Sequence, residues 1–185
     1  MAWDGELIRL VPLDRERHFE NCLRWINDSE VTTWLGIGDM PVGRKAEDDW
    51  FTSMEAGSGT DIVFAIETLE GVHIGNSGIH GIDFRNGTAK TGSYVAEANL
   101  RGKGYGTDAA RVRSKYCFDV LGLRLLLSEY YDGNTFSARM QEKAGYLEYG
   151  RLPQALWKRG AYRDLVMTHL SRERWLALEA GEVSS

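Results

Sequence analysis

Apolar positions along the chain follow two different periods, one of two residues and one of three to four. Alternation with period two is typical of a half-buried strand, whereas the longer period is typical of an amphipathic helix. Apolar and polar residues alternate over 7–12, and the segment ends at Pro12. A proline at the end of an alternating segment favours an edge strand. The longer period then predicts three helices: 15–27, a short helix capped by Asp28 or Ser29 that carries Val31, Trp34 and Leu35, and 44–54.

Further along the chain, strand patterns come before and after two longer helix patterns. Residues 61–68 and 72–84 predict strands, and Asn86-Gly87 is the pair favoured by a two-residue type I′ hairpin turn. The other predicted elements are strands at 88–95, 124–131, 146–156 and 162–170 and helices at 105–120 and 134–144. Together they predict an α+β fold with a mixed sheet, in a single domain over residues 1–185.

Composition and charge narrow the class of partner. The formal net charge of -5 argues against a general nucleic-acid binder, because phosphate backbones are held by clustered Lys and Arg. No stretch approaches the ~20 apolar residues of a membrane span, and the N-terminus lacks the pattern of an export signal. Cys22 and Cys117 fall in predicted helices without metal-ligand spacing. We therefore expect buried thiols and a cytoplasmic location, with no membrane partner.

A glycine-rich turn lies between the strand at 88–95 and the helix at 105–120. It consists of Arg101, Gly102, Lys103, Gly104, Tyr105, Gly106 and Thr107. The free backbone N–H groups of a helix N-terminus form an anion cradle. Glycines let a phosphate approach the backbone closely, and Arg101 and Lys103 add local positive charge. The turn therefore predicts a pyrophosphate site.

A dinucleotide-binding site is a rival interpretation of these glycines. Gly104-x-Gly106-x-x-Ala109 satisfies the dinucleotide pattern, and Glu129 lies at a suitable distance for a ribose contact. In that fold, however, the first strand runs almost directly into the first glycine. Here residues 96–100 intervene and an antiparallel hairpin precedes them, so a nicotinamide-dependent oxidoreductase is the weaker hypothesis.

Two separate segments resemble one known family. Arg101-x-x-Gly104-x-Gly106 resembles motif A of the GNAT acetyltransferase superfamily, in which that loop holds the pyrophosphate of CoA. A later segment is similar to the family's second cofactor segment, through Asn134, Ser137, Ala138, Arg139, Glu142, Lys143, Gly145 and Tyr146. The remaining similarity is to the branch that acetylates ribosomal-protein N-termini, and it lies at 8–10, 25–28, 31–36, 150–152 and 162–175.

The resemblance implies a fold and a cosubstrate. The implied fold is a mixed, mostly antiparallel sheet of six to seven strands, flanked by helices and splayed at the fourth and fifth strands. The implied cosubstrate is acetyl-CoA, attacked directly by an amine without a metal. The predicted cofactor-binding residues are Tyr94, Val95, Ala96, Arg101, Gly102, Lys103, Gly104, Tyr105, Gly106, Thr107, Asn134, Ser137 and Lys143. The backbone N–H groups around Tyr94 to Ala96 are the candidates for stabilising the thioester carbonyl.

The resemblance also implies the groups that serve the leaving sulfur. In many relatives this group is a tyrosine, but Gln141 stands at that position. The ribosomal-protein branch places a serine near the sulfur instead, and Ser137 matches it. An ordinary capping contact would also explain Ser137. Asn134 can cap the helix and reach the pantetheine arm, so Ser137 and Asn134 are predicted catalytic residues.

The base that deprotonates the amine is less well defined. Some relatives carry a glutamate on the fourth strand, but Lys90 stands there. Glu97 is the preferred candidate, and His80, Asp83 and Glu30 remain open. Each also has a structural explanation: a solvated charge for the two glutamates, a turn residue for Asp83 and a hydrogen-bonded strand histidine for His80.

The resemblance places the acceptor amine beside the first two helices. The predicted substrate-binding residues are Trp25, Asn27, Asp28, Glu30 and His80. Trp34 flanks the same cleft, although core packing explains it better, and the run Glu47-Asp48-Asp49 predicts a solvated helix face. The remaining histidines, His18, His73 and His169, lack metal-ligand spacing, so no metal site is expected.

These observations favour acetyl transfer from acetyl-CoA to a primary amine, with a protein N-terminus preferred over amino acids, polyamines and amine antibiotics. A catalytically idle acyl-CoA-binding module is the alternative, because Gln141 and Lys90 stand where catalytic residues are common. The expected partners are acetyl-CoA and an amine acceptor, with no nucleic acid; a homodimer is left open.

Overall fold

The computed structural model describes residues 3–37, 40–57 and 59–184. In chain order the elements are β1 (Trp3–Asp4), β2 (Ile8–Pro12), α1 (Arg15–Ile26), α2 (Ser29–Thr32), α3 (Arg44–Ala56), β3 (Ile62–Thr68), β4 (His73–Asp83), β5 (Thr88–Val95), α4 (Tyr105–Lys115), β6 (Leu125–Tyr131), α5 (Thr135–Lys143), β7 (Leu147–Lys158), β8 (Ala161–Ser171) and α6 (Arg172–Glu179). A 3₁₀ turn at Ala98–Leu100 precedes the glycine turn, and a π-helical segment, Tyr116–Val120, continues α4.

The strands form an eight-stranded sheet in the order β1-β2-β3-β4-β5-β6-β8-β7. Neighbouring strands are antiparallel except for β5 and β6, which are parallel. The mixed, mostly antiparallel α+β class is confirmed. The strand count of six to seven is wrong, because the short β1 adds a strand at the edge by pairing Trp3 with Leu10. A strand of two residues is too short to show a period in the sequence.

The predicted elements are present, but two helices differ in form or length from the prediction and one further helix was not predicted. The helix predicted at 105–120 changes to π geometry after Lys115, where Leu121 N donates to Tyr116 O at 3.2 Å. The short helix α2 ends at Thr32, before Trp34 and Leu35. The C-terminal helix α6 was not predicted, and it buries Trp175 against the sheet.

The turn between β4 and β5 is longer than the two-residue type I′ turn predicted. Asp83 pairs with Thr88, so four residues, 84–87, make the connection. Gly87 has a φ of 65°, whereas Asn86 does not have the positive φ that a type I′ turn needs. Asp83 organises the turn instead, because its carboxylate accepts hydrogen bonds from Asn86 N at 2.9 Å and Asn86 Nδ2 at 2.6 Å.

Two of the apolar clusters pack helices against the sheet and against each other. The larger one joins the strands to α4 and α6 through residues such as Ile66, Ile74, Ala109, Leu126 and Trp175. The smaller one lies between α1 and α3 and contains Phe19, Cys22 and Phe51. Helices α1 and α3 pack on each other, whereas α4 packs on the strands. The space between the α1–α3 pair and α4 therefore stays open at the middle of the sheet.

Candidate active site

The candidate site opens where the two parallel strands separate. β5 and β6 are paired only from Thr88 opposite Leu125 to Lys90 opposite Leu127, and β5 then continues to Val95. This is the splay predicted for the fourth and fifth strands, which are β5 and β6 here. A cavity of about 1560 Å³ occupies the opening and extends from the glycine turn to α1, α2 and α3. The separation leaves backbone groups of β5 available to a ligand.

Val95 is the residue near the end of β5 whose N–H faces this opening. Ala96 N donates to Ile74 O of β4 at 2.8 Å, so its N–H is already occupied on the other side. Successive residues of a strand point their N–H groups in opposite directions, which directs the N–H of Tyr94 toward β4 and that of Val95 toward the gap. Of the backbone N–H groups predicted to stabilise the thioester carbonyl, that of Val95 therefore points into the opening between β5 and β6.

Arg101 closes the glycine turn onto the end of β5. Its Nε donates to Val95 O at 3.2 Å, and its Nη2 donates to Ala96 O at 2.7 Å. The guanidinium is thus held between the strand and the turn instead of extending into solvent. These bonds fix the turn relative to Val95 N–H.

The N-terminus of α4 carries open backbone amides. Gly104 is the N-cap residue, with a φ of 96° and no side-chain capping bond. The first-turn carboxylate, Asp108, is directed away from the helix end and accepts hydrogen bonds from Leu7 N at 2.7 Å and Ile8 N at 3.1 Å. The N–H groups of the first turn are therefore free to bind an anion.

Most of the predicted cofactor residues line the cavity, and three do not. Those that line it are Tyr94, Val95, Arg101, Gly102, Gly104, Gly106, Thr107, Asn134, Ser137 and Lys143, whereas Ala96, Lys103 and Tyr105 do not. Two further cations, Arg111 and Arg139, line the same end and were not predicted. Arg111 follows Thr107 by four residues, a spacing that places both on one face of α4.

Ser137 and Asn134 form a closed pair at the start of α5. Asn134 Oδ1 accepts from Ser137 N at 3.1 Å, and Asn134 Nδ2 donates to Ser137 Oγ at 2.9 Å. Asn134 is buried, whereas Ser137 is half-buried and lines the cavity. Because Ser137 Oγ acts as an acceptor toward Asn134, its own O–H remains available to donate into the cavity. The capping contact and a role at the sulfur are therefore compatible.

The other end of the cavity has mostly apolar walls. Its apolar lining includes Ile26, Val31, Trp34, Leu35, Val42 and Trp50. Each of the two tryptophans has the role that was predicted for the other. Trp34 lines the cavity, whereas Trp25 is 2% exposed and packs with Val31 and Ala96. Trp25 lies on the buried face of α1, and a helical period alone does not distinguish a core position from a cavity wall.

Asn27 and Asp28 lie outside the cavity and shape the chain around it. Asn27 holds the segment before α3, because its side chain bonds to the N and O of Val42 at 2.8 and 2.9 Å. Asp28 is the N-cap of α2 and accepts from Glu30 N at 2.8 Å. Of the predicted acceptor residues, Glu30 and His80 line the cavity. His80 is opposite Lys90, five residues and about 16 Å along β5 from Val95.

The predicted base, Glu97, does not line the cavity. Its Oε1 lies 3.1 Å from Arg24 Nη2 in an exposed ion pair. His80 is also engaged, with its Nδ1 3.1 Å from Asp61 Oδ1. Of the predicted bases, Glu97 is therefore paired outside the cavity, and His80 lies far along β5 from Val95 and is paired with Asp61.

A different carboxylate lines the acceptor end. The sequence predicted that Glu47 belongs to a solvated face of α3, and this is wrong for Glu47, which is 7% exposed and borders the cavity. Burial raises the pKa of its carboxyl. Its neighbours Asp48 and Asp49 are exposed and pair with Arg15 and Lys45. A run of three acidic residues spans most of a helical turn, so one of them can face inward.

Polar groups of α1, β4 and β5 lie beneath this end. Asn76 Nδ2 donates to Tyr94 Oη at 3.0 Å and to Cys22 Sγ at 3.2 Å. Asn76 Oδ1 lies 3.1 Å from His73 Nε2, which also contacts Gly75 O at 3.0 Å. Burial lowers the pKa of His73 to about 4 and raises that of Cys22 to about 11. These groups are neutral near pH 7.

Comparison with known families decides the identity of the fold. Residues 8–147 match the family described as an acetyltransferase (GNAT) domain. The chain belongs to the GNAT acetyltransferase family. As a GNAT domain the chain takes acetyl-CoA as its cosubstrate. The antiparallel hairpin before the turn rules out the dinucleotide fold considered from the glycines.

Individual GNAT relatives cover nearly the whole chain. The chain is 28% identical over 174 residues to the Bacillus subtilis (strain 168) protein named "Putative ribosomal N-acetyltransferase YdaF", which spans 91% of this chain and 92% of the relative. Spermidine N-acetyltransferase from Vibrio cholerae, in complex with CoA and spermine, has a TM-score of 0.82 at 16% identity and covers 91% and 98% of the two chains. Mycobacterium smegmatis RimJ, in complex with CoA-disulfide, has a TM-score of 0.81 at 19% identity and covers 98% and 94%.

Two positions depart from the common GNAT pattern. Gln141, in place of a tyrosine, is 4% exposed. Its Nε2 donates to Ser128 Oγ at 3.1 Å, and its Oε1 accepts from Thr168 Oγ1. Lys90, in place of a glutamate, pairs with Glu129 at 2.6 Å across the β5–β6 gap. In this GNAT domain both positions therefore connect neighbouring strands.

Among residues 3–37, 40–57 and 59–184, no group of three or more His, Cys, Asp or Glu could hold a metal ion. In the same part of the chain, no helix is both long enough and apolar enough to cross a bilayer.

Proposed function

We propose that this GNAT enzyme acetylates α-amino groups, at protein N-termini or on small molecules. The observation that carries the proposal is that one cavity connects three groups of donors to an apolar acceptor end. These donors are the first-turn amides of α4, the N–H of Val95 and the O–H of Ser137. Acetyl transfer needs donors at a pyrophosphate, at a carbonyl oxygen that gains negative charge and at a leaving sulfur.

In the proposed reaction each group has one task. The amides of the α4 N-terminus bind the CoA pyrophosphate, with Arg111, Arg139 and Lys143 nearby. The neutral amine attacks the thioester carbon, and Val95 N–H stabilises the oxyanion. The carbon–sulfur bond then breaks, and the thiolate accepts a hydrogen bond from Ser137 O–H. The nitrogen loses one proton and the thiolate gains one, so the products are the neutral amide and the CoA thiol.

The preference for α-amines follows from the cost of removing a proton. An α-amino group has a pKa of ~7.7 to 8.0, whereas that of a lysine side chain is ~10.4. At pH 7 roughly a tenth of the α-amine is already neutral, but well under a thousandth of the lysine amine is. The difference corresponds to about 3.4 kcal/mol. An enzyme whose base is a carboxylate meets the smaller cost more easily.

Thiol release from acetyl-CoA tests the proposal directly. Two matched peptides, one with a free N-terminus and a blocked lysine and one with the opposite arrangement, are compared by kcat/KM from pH 6 to 9. Spermidine, free amino acids and aminoglycosides complete the panel. We expect the free N-terminus to react faster at neutral pH. Faster turnover of the lysine peptide would contradict the α-amine preference, and CoA binding without thiol release from any amine would favour the idle module.

The two cysteines support the proposed cytoplasmic location. Cys22 and Cys117 are both buried free thiols, and burial raises the pKa of Cys117 to about 12. Thiols of this kind are unreactive and are typical of reducing compartments.

A further inference from the structure

Glu47 is a buried carboxylate that faces the acceptor end of the cavity without a protein partner. It is 7% exposed and lines the cavity. Throughout the described part of the chain, no hydrogen bond or ion pair to its carboxylate is found, whereas Asp48 and Asp49 beside it both have cationic partners. An ionised carboxylate removed from water is costly unless a cation or a donor compensates it.

The surroundings of Glu47 do not supply that cation. The titratable groups that face it are the Cys22 thiol from α1 and the Tyr94 hydroxyl from β5, and both have raised pKa values because of burial first and the charge of Glu47 in addition. Both therefore stay neutral. Among the described residues that line this end, the other charged side chain is that of Glu30 on α2, an exposed carboxylate. The local charge is negative, and the walls around it are apolar.

A ligand that completes this site is a cation small enough to enter an apolar end. A protonated primary amine has that chemistry, and Val95 N–H, the proposed donor to the thioester carbonyl, follows Tyr94 directly along β5. Glu47, Tyr94 and Val95 all line one cavity, so an amine held by Glu47 shares that cavity with the acetyl group.

We propose that Glu47 binds the ammonium group of the acceptor and removes its proton before attack on acetyl-CoA. This inference rests on the proposed function. One N–H bond of the ammonium breaks, and the proton moves to a Glu47 carboxylate oxygen, so that neutral amine and carboxylic acid face each other. The amine then attacks the thioester carbon and the tetrahedral carbon expels the CoA thiolate. The nitrogen loses its second proton to this thiolate, which leaves as the CoA thiol, and the Glu47 proton returns to solvent. Glu47, and not Glu97, is the catalytic base.

The position of Glu47 also suits it to this task. Desolvation in the apolar end makes its carboxylate a stronger base than a solvated glutamate. Desolvation also means that the ionised side chain opposes folding. Because folding raises the pKa of the Glu47 carboxyl, the stability of the folded chain decreases as pH rises from the unfolded-state pKa to the folded-state pKa. A purely structural carboxylate would instead be hydrogen-bonded, as Asp108 and Asp83 are.

The test compares Glu47→Gln with Asp49→Asn, which makes the same change of charge on the exposed face of the same helix. For Glu47→Gln we expect kcat/KM for the preferred amine to fall about 100-fold or more, with unchanged CoA affinity by calorimetry and an equal or higher Tm at pH 7.5. For Asp49→Asn all three should stay as in the wild type. Glu47→Asp, which keeps the acid, should retain part of the activity.

The pH profile separates a base from a residue that only supports the fold. In the wild type, kcat/KM should be level between the pKa of Glu47 and that of the amine, because the ammonium proton passes to Glu47. In Glu47→Gln it should rise about tenfold per pH unit, following the neutral amine alone. Unchanged kcat/KM in Glu47→Gln, or lower Tm with loss of CoA binding, would overturn the inference. Absence of thiol release by the wild type with every amine would instead refute the proposed function.

Discussion

Ser137 and Gln141 lie one turn apart on α5, and their side chains use their hydrogen-bonding capacity differently. Gln141 is bonded to Ser128 and Thr168 on two neighbouring strands. Ser137 accepts from Asn134 and keeps its own O–H for the cavity. This difference makes Ser137, and not the residue at the usual tyrosine position, the group able to donate to a thiolate.

We therefore expect Ser137→Ala to lower kcat by about 10- to 100-fold, the effect of one hydrogen bond to a charged group, with little change in the KM for acetyl-CoA. An interaction that forms mainly in the transition state has this signature. Steady-state kinetics with the preferred amine measure both constants.

Gln141→Ala is the matched comparison for Ser137→Ala. It removes two buried hydrogen bonds, although Ser128 Oγ still donates to Thr91 O and Thr168 Oγ1 to Ser128 O. Unfolding should therefore become easier by about 1 to 3 kcal/mol, while kcat falls less than in Ser137→Ala. Denaturant titration and kinetics on both variants decide. A larger kcat loss in Gln141→Ala would show that the tyrosine position has kept its role at the sulfur in altered form.

At the scale of elements, the start of α4 combines a left-handed backbone conformation at Gly104 with free backbone N–H groups in the first helical turn. Gly104 has a positive φ, so any side chain there strains the backbone. Gly106 is helical, and a Cβ at this position would meet Met140 Cγ at an ordinary 3.5 Å. Gly106 is thus the position at which the approach of a ligand can be tested without disturbing the fold.

Gly106→Val should fold with a Tm near that of the wild type, because valine is at least as good a helix former as glycine. Its methyl groups should keep the pyrophosphate from the first-turn amides and weaken CoA binding at least about tenfold, or ~1.4 kcal/mol. Gly43→Val, at the N-cap of α3, where a Cβ meets nothing within 4 Å, is the control. Calorimetry and circular dichroism measure the two effects, and full CoA affinity in folded Gly106→Val would contradict the cradle.

At the scale of the whole molecule, α1 is joined to the sheet through a column of rings. The His73 ring lies 4.5 Å from that of His18 and 4.6 Å from that of Trp25. His73 donates from Nε2 toward Gly75 O and Asn76 Oδ1. Burial, with a smaller contribution from His18, lowers its pKa to about 4. Protonation of His73 would thus break the contact between α1 and β4.

This depressed pKa predicts how stability depends on pH. In the unfolded chain His73 binds a proton below about pH 6.5, whereas in the folded chain it does so only near pH 4. Between these values the unfolded state binds more protons, so stability falls as pH falls. His73 should account for about 2 kcal/mol of the loss between pH 7 and pH 5. Urea titrations at both pH values should show a smaller loss in His73→Gln, and an equal loss would contradict this assignment.

The sequence by itself determined features that depend on local contacts. Periods of two and three to four residues located the helices and strands, because each reflects one chain segment facing one surface. The glycine turn before α4 predicted an anion site for the same reason: the free amides of a helix end belong to adjacent residues. The family motif linked that turn to Ser137 and Asn134, whose mutual hydrogen bonds span only three residues.

Only the tertiary structure decided which side chains meet across the cavity. Trp25 and Trp34, or Glu47 and Asp49, look alike in a helical pattern, and the packing of α1 and α3 makes one of each pair buried or cavity-lining. Glu97 looked like a base until its pairing with Arg24 was visible, and Val95 N–H was selected by the register of β4 and β5. Direction, burial and pairing depend on residues far apart in sequence, so the identity of the base could not be predicted from the order of residues alone.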